Sequence, residues 1–513
     1  MAQRVVIVGG GVGGAATALA LADGGHRVTL IERDDLGPLA DPEAAFTAEC
    51  PGAPQVHHTH AFLARLAVVL RDRFPDVLDA LMAAGGTTLP ASADLGDPRP
   101  GDEDLAVLVV RRTTLEWVLR RAVASRPAID VRTGVGVTGL VAVPGDAADE
   151  ESATGPTGAA AGVGGAGVPV VTGVRLHDGT VLDADVVVAA NGRRSDVPAW
   201  LAPFGVEVPE TVHESGLMYL SRWYRPPAGH DLVLDFRLGD LGFVKYLGVP
   251  GDGGTLSVTL AIRVADAELR AHLADPDVFD RACHLLPGPD RFFAHGPLEP
   301  LGPVLPMGGL LNRLRRFVAG TGEPTVAGFH AVGDAHTCTN PLYGRGCSLA
   351  VVQAVELADA LAANPDDPIA RARRYEQAST REVEPWFDVA VQMDALGSDR
   401  GPEDGDGRPG GSGAGSSKAL VALRVAAATD PVIARALVRF WNVLATPADL
   451  MADPEFLARA AAVMADADAH PAPPRSGPSR TELLASLAPP DRSAPACPTP
   501  TAPPTPHSCG RAR

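Results

Sequence analysis

The sequence predicts an α/β fold with a separate antiparallel sheet inserted into it, and three observations carry that reading. Val5–Glu32 reads as strand, glycine turn, helix and strand in succession. Two later β-branched runs, Asp185–Ala190 and Gly328–Asp334, each end in a glycine-bearing loop, as parallel strands of one sheet do. Between them, residues 211–273 alternate apolar with polar and carry most of the chain's scarce aromatics, which suits an antiparallel layer.

Val5–Val8 is too short and too β-branched for a helix and stops at glycines, so it reads as a buried parallel strand. Gly9, Gly11 and Gly14 fit G-x-G-x-x-G. The first permits a tight turn, the second a close approach of backbone to a pyrophosphate, and the third helix-on-strand packing. Ala15–Ala22 supplies the helix, whose unpaired amino-terminal N–H groups and partial positive charge suit phosphate. Gly24-Gly25 ends it, and Arg27–Ile31 forms a second strand closing on Glu32. Glu32 follows Gly14 by 18 positions, close to the roughly 20 expected of a ribose-binding acid. The whole unit predicts a Rossmann-type site for an adenine dinucleotide and leaves FAD and NAD both open. A glycine-rich turn without a ligand is the bland alternative.

With 513 residues the chain has length for about two to four domains and a sizeable core. A formal charge of −18 argues against a nucleic-acid partner, which needs a clustered basic face. The six cysteines show no C-x-x-C or metal-type spacing, so free thiols in a reducing compartment are expected. No membrane span is expected, since no run of about 18 apolar residues stands out. The amino terminus enters the first strand directly and leaves no room for a cleavable signal, so the expected location is cytoplasmic.

Along the chain, Pro54-Gln55-Val56-His57-His58-Thr59-His60 precedes a helical pattern at Ala61–Leu70. Three histidines this close invite a metal, but no Cys or well-placed carboxylate accompanies them, and no metal is assigned. The other readings are polar side chains at the edge of a cofactor cleft and solvated loop histidines. Helix continues over Phe74–Met82 to Gly85-Gly86. Leu105–Val110 reads as a strand that delivers Arg111 and Arg112 to a helix at Thr113–Val123, with Arg112 opening an R-x-x-L-E arrangement. Such an arginine suits a phosphate or flavin oxygen, or a surface ion pair with Glu116.

Ile129–Val143 and Val170–Leu182 read as β structure, the latter turning at Asp178-Gly179. Residues 146–167, acidic and then almost wholly Gly, Ala, Ser and Thr, are expected to be a disordered insertion. Tyr219–Tyr224, Leu232–Leu238, Phe243–Val249 and Leu256–Arg263 are the strands expected of the inserted sheet, a substrate roof or plain packing. After Gly328–Asp334, the loop Asn340–Gly346 leads into a helix at Cys347–Leu361, placing an acceptor for sugar hydroxyls beside an electropositive helix start. The resulting organisation is a nucleotide domain in two parts, 1–200 and 301–396, around a sheet domain at 201–300. A linker at 397–417, a helical region at 418–469 and a disordered Pro-rich tail at 470–513 follow.

In that order, the glycine motif with Glu32, R-x-x-L-E at Arg112, the strand ending Ala190-Asn191-Gly192-Arg193, and Gly333-Asp334 with Asn340-Pro341 and Gly344-Arg345-Gly346 resemble the FAD-dependent monooxygenases of the para-hydroxybenzoate hydroxylase fold. The stretch P-Q-x-x-H-x-H-x-x-L at Pro54–Leu63 is similar to a bacterial branch of FAD-dependent oxidoreductases that includes polyether epoxidases of the squalene-epoxidase type. The resemblance covers roughly residues 1–395.

It implies FAD as cofactor, with Gly9, Gly11 and Gly14 at the pyrophosphate and Glu32 at the adenosine ribose. Arg112 is implied beside the phosphate and ribityl chain, Asp334 at a ribityl hydroxyl or the pyrophosphate, and Pro341, Gly344 and Gly346 against the isoalloxazine; Gly13, Arg33, Gln55 and Arg345 complete the cofactor-binding set. The implied reaction inserts one oxygen atom from O2, by hydroxylation or epoxidation through a flavin 4a-hydroperoxide, into a small secondary-metabolite-like substrate under the sheet. NAD(P)H is the implied electron donor. The cofactor carries this chemistry, so no protein nucleophile is required, and His57, His58 and His60 are the candidate catalytic acid–base residues. Asn191-Gly192 stands where hydroxylases of this fold usually carry Asp-Gly, which leaves a separate flavin reductase as an alternative electron source. The W-x-W-x-I-P signature of flavin halogenases is absent. Also open are an FAD-dependent reductase or dehydrogenase of an isoprenoid-like alkene, and a catalytically idle flavoprotein acting as a binding partner.

Overall fold

A computed structural model describes residues 2–35, 37–90, 95–145, 167–398, 414–472, 474 and 476–488. The expected insertion at 146–167, apart from Gly167, the middle of the expected linker at 399–413 and the tail beyond 488 lie outside the described residues.

The central sheet is parallel, in the order Phe329–Ala331, Val186–Ala189, Arg4–Val8, Arg27–Ile31, Ile129–Arg132. Its side chains divide with the two-residue period of a strand. Val5, Ile7, Val28, Leu30, Val186 and Val188 face the helices Val12–Asp23, Arg112–Ala124 and Gly346–Ala363. Val6, Val8, Ile31, Val187, Ala189 and Phe329 face the antiparallel sheet Val137–Gly145, Gly167–Leu176, Val181–Asp183. Both faces are covered, which is why these strands read as unbroken apolar runs. The three adjacent strand ends release Gly9, Ala190-Asn191 and Val332-Gly333 at one edge, the place where open α/β sheets bind ligands.

Gly346–Ala363 corrects one expectation. It has the length and mean hydropathy, 1.4, to cross a membrane, yet 67% of it is buried inside the protein, against Val12–Asp23 among others. Its apolar composition serves a helix packed on most of its circumference.

The inserted sheet runs Arg237–Asp240, Val244–Gly251, Thr255–Arg263, Leu217–Arg225, with Glu299–Pro300 and Leu305–Met307 both paired to the last of these. The expected strand at 232–238 is reduced to Arg237–Asp240, because 231–236 finds no partner strand among the described residues and turns Leu234 and Phe236 into a cavity instead. One sheet face, with Leu220, Tyr224, Val258, Leu260 and Ile262, packs on the helices Ala267–Leu273, Pro276–Leu285 and Pro289–Ala294. The alternating residues Tyr219, Ser221, Trp223, Ser257 and Thr259 meet the nucleotide domain through hydrogen bonds. The two domains are also joined by a buried ion pair, Arg111 to Asp252 at 2.8 Å, into which Thr114 Oγ1 also donates.

Two further expectations change. The helix expected to continue over Phe74–Met82 is a separate one, Pro75–Ala83, since Pro75 lacks the N–H to extend Ala64–Arg73. The tail expected to be disordered from 470 carries the helix Arg480–Leu487, opened by a Ser479/Glu482 capping box. Its Leu483 and Leu487 are buried in the core beneath the inserted sheet, and Arg480 pairs with Asp266 at 2.8 Å.

Candidate nucleotide-binding and active site

A cavity of about 1290 Å³ opens at the ends of the parallel strands and continues under the inserted sheet. A single ligand typically fills about 300–1,000 Å³, so a dinucleotide and a second molecule both find room. Gly9, Gly10, Gly11 and Gly13 line one end, with Glu32, Arg33 and Asp34. Gly9 has φ +107, and a Cβ there would meet the Ala190 carbonyl at 2.5 Å; a Cβ on Gly14 would lie 1.8 Å from the Gly9 carbonyl oxygen. Both positions therefore require glycine for packing. Gly11 differs: a Cβ would meet nothing within 4 Å, so the space beside this helix start is open to a ligand. Glu32 accepts from the Gly10 N–H at 2.6 Å and the Asp34 N–H at 3.0 Å, which holds its carboxylate at the cavity wall.

Farther along, Gln55, His58, His60, Arg112 and Asp334 line the middle of the cavity. Arg112 starts its helix, donates to Glu116 at 2.9 Å, and reaches His60 Nε2 at 3.0 Å. Glu116 is buried, so the pair is not the surface ion pair that spacing also allowed. Burial pushes the Asp334 carboxyl up, while Arg112, Arg193 and Arg313 pull it down. Pro341, Gly344 and Gly346 line the next section. The Asn340 side chain holds this loop by accepting from the Leu342 N–H and Tyr219 OH, and donates to Asp394 at 2.8 Å. The far section is largely apolar, with Leu234, Phe236, Leu247, Met307, Leu310 and Trp441 in its wall.

The three histidines diverge. His57 is outside the cavity wall, its Nε2 donating to the Ala48 carbonyl at 3.1 Å. His60 donates from Nδ1 to the His58 carbonyl at 2.9 Å, which leaves Nε2 as the acceptor for Arg112. His58 reaches Ser221 through Nδ1 at 3.0 Å, and burial lowers its imidazole to about 4 with help from His57 and Arg193. Among the described residues no group of three or more His, Cys, Asp or Glu is arranged to hold a metal.

Arg345 is also outside the cavity. It is fully buried, its guanidinium centred 4.8 Å from the Trp386 ring and 5.2 Å from Tyr343, with Phe440 and Trp441 at 5.9 and 5.8 Å. The loop exposes Gly344 and Gly346 to the cavity and sends the intervening side chain to the opposite side. Burial lowers its pKa to about 10.

Residues 7–71 match the family described as NAD(P)-binding Rossmann-like domain. Among curated proteins none matches the sequence. The structure resembles that of PqsL, a probable FAD-dependent monooxygenase from Pseudomonas aeruginosa, at 19% identity and TM-score 0.53, covering 78% of this chain and 97% of that one. It is also similar to the flavin-dependent brominase Bmp2, at 16% identity and TM-score 0.57, covering 91% and 100%. A flavoprotein/dehydrogenase from Cytophaga hutchinsonii aligns at 14% identity and TM-score 0.58, covering 91% and 98%. The chain has the fold of these flavoproteins.

Several residues in or behind the cavity wall were given no site role by the sequence. Arg193, which the sequence offered only as the end of the Ala190–Arg193 motif with no role assigned, lines the cavity and helps draw the Asp334 carboxyl down. Asp394 ties down the Asn340 loop from 54 positions away and also accepts from Tyr343 OH at 2.8 Å. Val438, Trp441 and Asn442 bring the C-terminal helical region into the same wall.

Proposed function

We propose that this chain is an FAD-dependent monooxygenase that inserts one oxygen atom from O2 into a small, largely apolar organic substrate, by hydroxylation or epoxidation. The observation that supports it is the continuity of a single cavity from Gly9–Gly13 and Glu32, past Arg112 and Asp334, to the Asn340–Gly346 loop and an apolar chamber. The open space beside Gly11 at the start of Val12–Asp23 suits a pyrophosphate, and the Glu32 carboxylate suits ribose hydroxyls. Asp334 and Arg112 suit the middle of an extended dinucleotide, and Pro341, Gly344 and Gly346 a flat ring. FAD, when bound, supplies the redox and oxygen-activating chemistry.

The chain's own residues bind, orient and exclude water. Asp394, Asn340 and Tyr219 hold the ring-facing loop in one conformation, linking it to the inserted sheet. Leu234, Phe236, Met307 and Leu310 keep the chamber apolar, and His58 is the polar side chain that we assign to the substrate's reacting region. Electrons come from NAD(P)H directly or through a separate flavin reductase.

Purified protein should show a bound-flavin absorbance spectrum that bleaches anaerobically with NADPH, NADH or a reductase. Turnover should consume O2 and place one 18O atom from 18O2 in the product. Folded protein that stays colourless with excess FAD overturns the cofactor assignment. Anaerobic substrate reduction or dehydrogenation without O2 uptake would replace oxygen insertion by the dehydrogenase reading.

A further inference from the structure

Among the described residues six arginines are buried: Arg111, Arg222, Arg315, Arg345, Arg371 and Arg435. Five of them donate to a carboxylate or a backbone carbonyl. Arg345 does neither: its Nε, Nη1 and Nη2 are all shut off from solvent and none has a hydrogen-bond partner. Around it stand the rings of Trp386, Tyr343, Phe440 and Trp441. Aromatic faces attract a cation through their quadrupole but carry no net charge, so they hold the guanidinium without neutralising it. Tyr343 donates to Asp394, yet that carboxylate also accepts from Asn312 and Asn340 and makes no bond to Arg345. A buried charge without a partner is costly to keep. Arg345 does keep it, since a pKa of about 10 leaves the group protonated at pH 7.

This cation lies behind one wall of the cavity. Gly344 and Gly346 flank Arg345 in the chain and both line the cavity, as does Pro341 at the start of the same loop. Gly344 has φ +68, and a Cβ there would meet the Ala61 carbonyl at 3.0 Å, so the turn is held to glycine and stays thin. Arg345 is also the residue before the 18-residue helix Gly346–Ala363, whose first N–H groups add partial positive charge at the same place. With apolar rings about it and no acid paired to it, the guanidinium projects its field through this wall with little screening.

We infer that Arg345 is the counter-charge for reduced FAD, a residue that does not touch the cofactor but makes its ring easier to charge negatively. A hydride from a nicotinamide, or two electrons and a proton from a reductase, leaves the ring with one negative charge unless a second proton follows. The Arg345 charge favours the anion and so lowers the pH at which that second proton is taken up. The same pairing explains a cation kept where its own chain offers no acid. This role requires FAD with its ring against the Pro341–Gly346 loop, the reading proposed above.

The test is anaerobic reduction of the full-length FAD-loaded protein in equilibrium with a reference dye, followed by absorbance across pH 5 to 9. Arg345→Met removes the charge and keeps an unbranched chain. At pH 7 it should shift the equilibrium toward oxidised FAD by about tenfold, or about 30 mV for a two-electron couple, and a shift under about threefold overturns the inference. The pH at which uptake changes from two protons to one should rise by about one unit in the same variant, and an unmoved break also overturns it. Phe440→Leu opens the cage outside the cavity wall while leaving the cation in place. It should leave the equilibrium near that of wild type; a shift as large as that of Arg345→Met makes packing the cause and refutes the charge. Arg345→Gln takes the place of Arg345→Met if that variant does not fold. Wild-type protein that stays colourless with excess FAD defeats the cofactor reading, whereas coloured variants with an unshifted equilibrium defeat the role of Arg345 alone.

Discussion

Gly11 allows the cofactor site to be perturbed while the fold is left alone. Its φ of −72 and ψ of −171 are extended backbone that alanine adopts freely, and an added Cβ meets nothing within 4 Å. Gly11→Ala should therefore change the stability of FAD-free protein by no more than about 0.5 kcal/mol. With the cavity filled, the same methyl stands at the start of Val12–Asp23, where a pyrophosphate takes backbone N–H bonds. Displacing a phosphate from one such charged hydrogen bond forfeits about 1.5–3 kcal/mol, or roughly 10- to 150-fold in Kd. Gly14→Ala is the contrast: its Cβ would lie 1.8 Å from the Gly9 carbonyl oxygen, a backbone atom that cannot step aside as a side-chain end can, so the fold itself gives way by roughly 4 kcal/mol or more. Chemical denaturation of FAD-free protein and fluorescence titration with FAD separate the two effects. A Gly11→Ala protein that binds FAD as tightly as wild type refutes the placement of the pyrophosphate at this turn.

Asp252→Ala should cost about 1.5–3 kcal/mol in unfolding free energy, because it removes the buried carboxylate to which Arg111 and Thr114 donate and leaves the half-exposed Glu43 as the remaining carboxylate beside the guanidinium; a loss under about 0.5 kcal/mol contradicts that account. Burial holds the His58 imidazole at about 4 against an ordinary 6.5, so between those values the unfolded chain binds a proton that the folded one refuses. The stability present above pH 6.5 is therefore lost as pH falls through 4, by about 3 kcal/mol for this group. His58→Gln should flatten that part of the stability curve, and a curve of unchanged slope tells against it. Truncation after His470 removes Leu483 and Leu487 from the core of the inserted-sheet domain and should lower stability by roughly 3–6 kcal/mol; an unshifted melting curve means that the Arg480–Leu487 helix does not dock.

The nucleotide end of the cavity was legible in the sequence because its parts are consecutive. Gly9 to Glu32 spans one strand–helix–strand unit, so the turn, the helix start and the acid are close in space for the same reason that they are close in the chain. The docked tail helix was legible too, in Ser479-x-x-Glu482 before three leucines, but the prolines around it masked the capping box. The strand expected at 232–238 illustrates the opposite limit. Alternation describes a side-chain pattern, and only a neighbouring strand turns it into a sheet.

Taken alone, then, the order of residues determined the parallel strands, the glycine turn, the acid beside it and the two-layer plan, all of which arise from backbone geometry and apolar period within short stretches. Tertiary structure alone decided which side of each loop a side chain occupies and which distant groups meet. It sent Arg345 into an aromatic cage while its glycine neighbours face the cavity, and it joined His58 to Ser221 across 163 positions of chain. It set Asp394 under the Asn340 loop as well. Those contacts follow from how two sheets and a late helix pack against one another, a long-range arrangement on which local spacing has no hold.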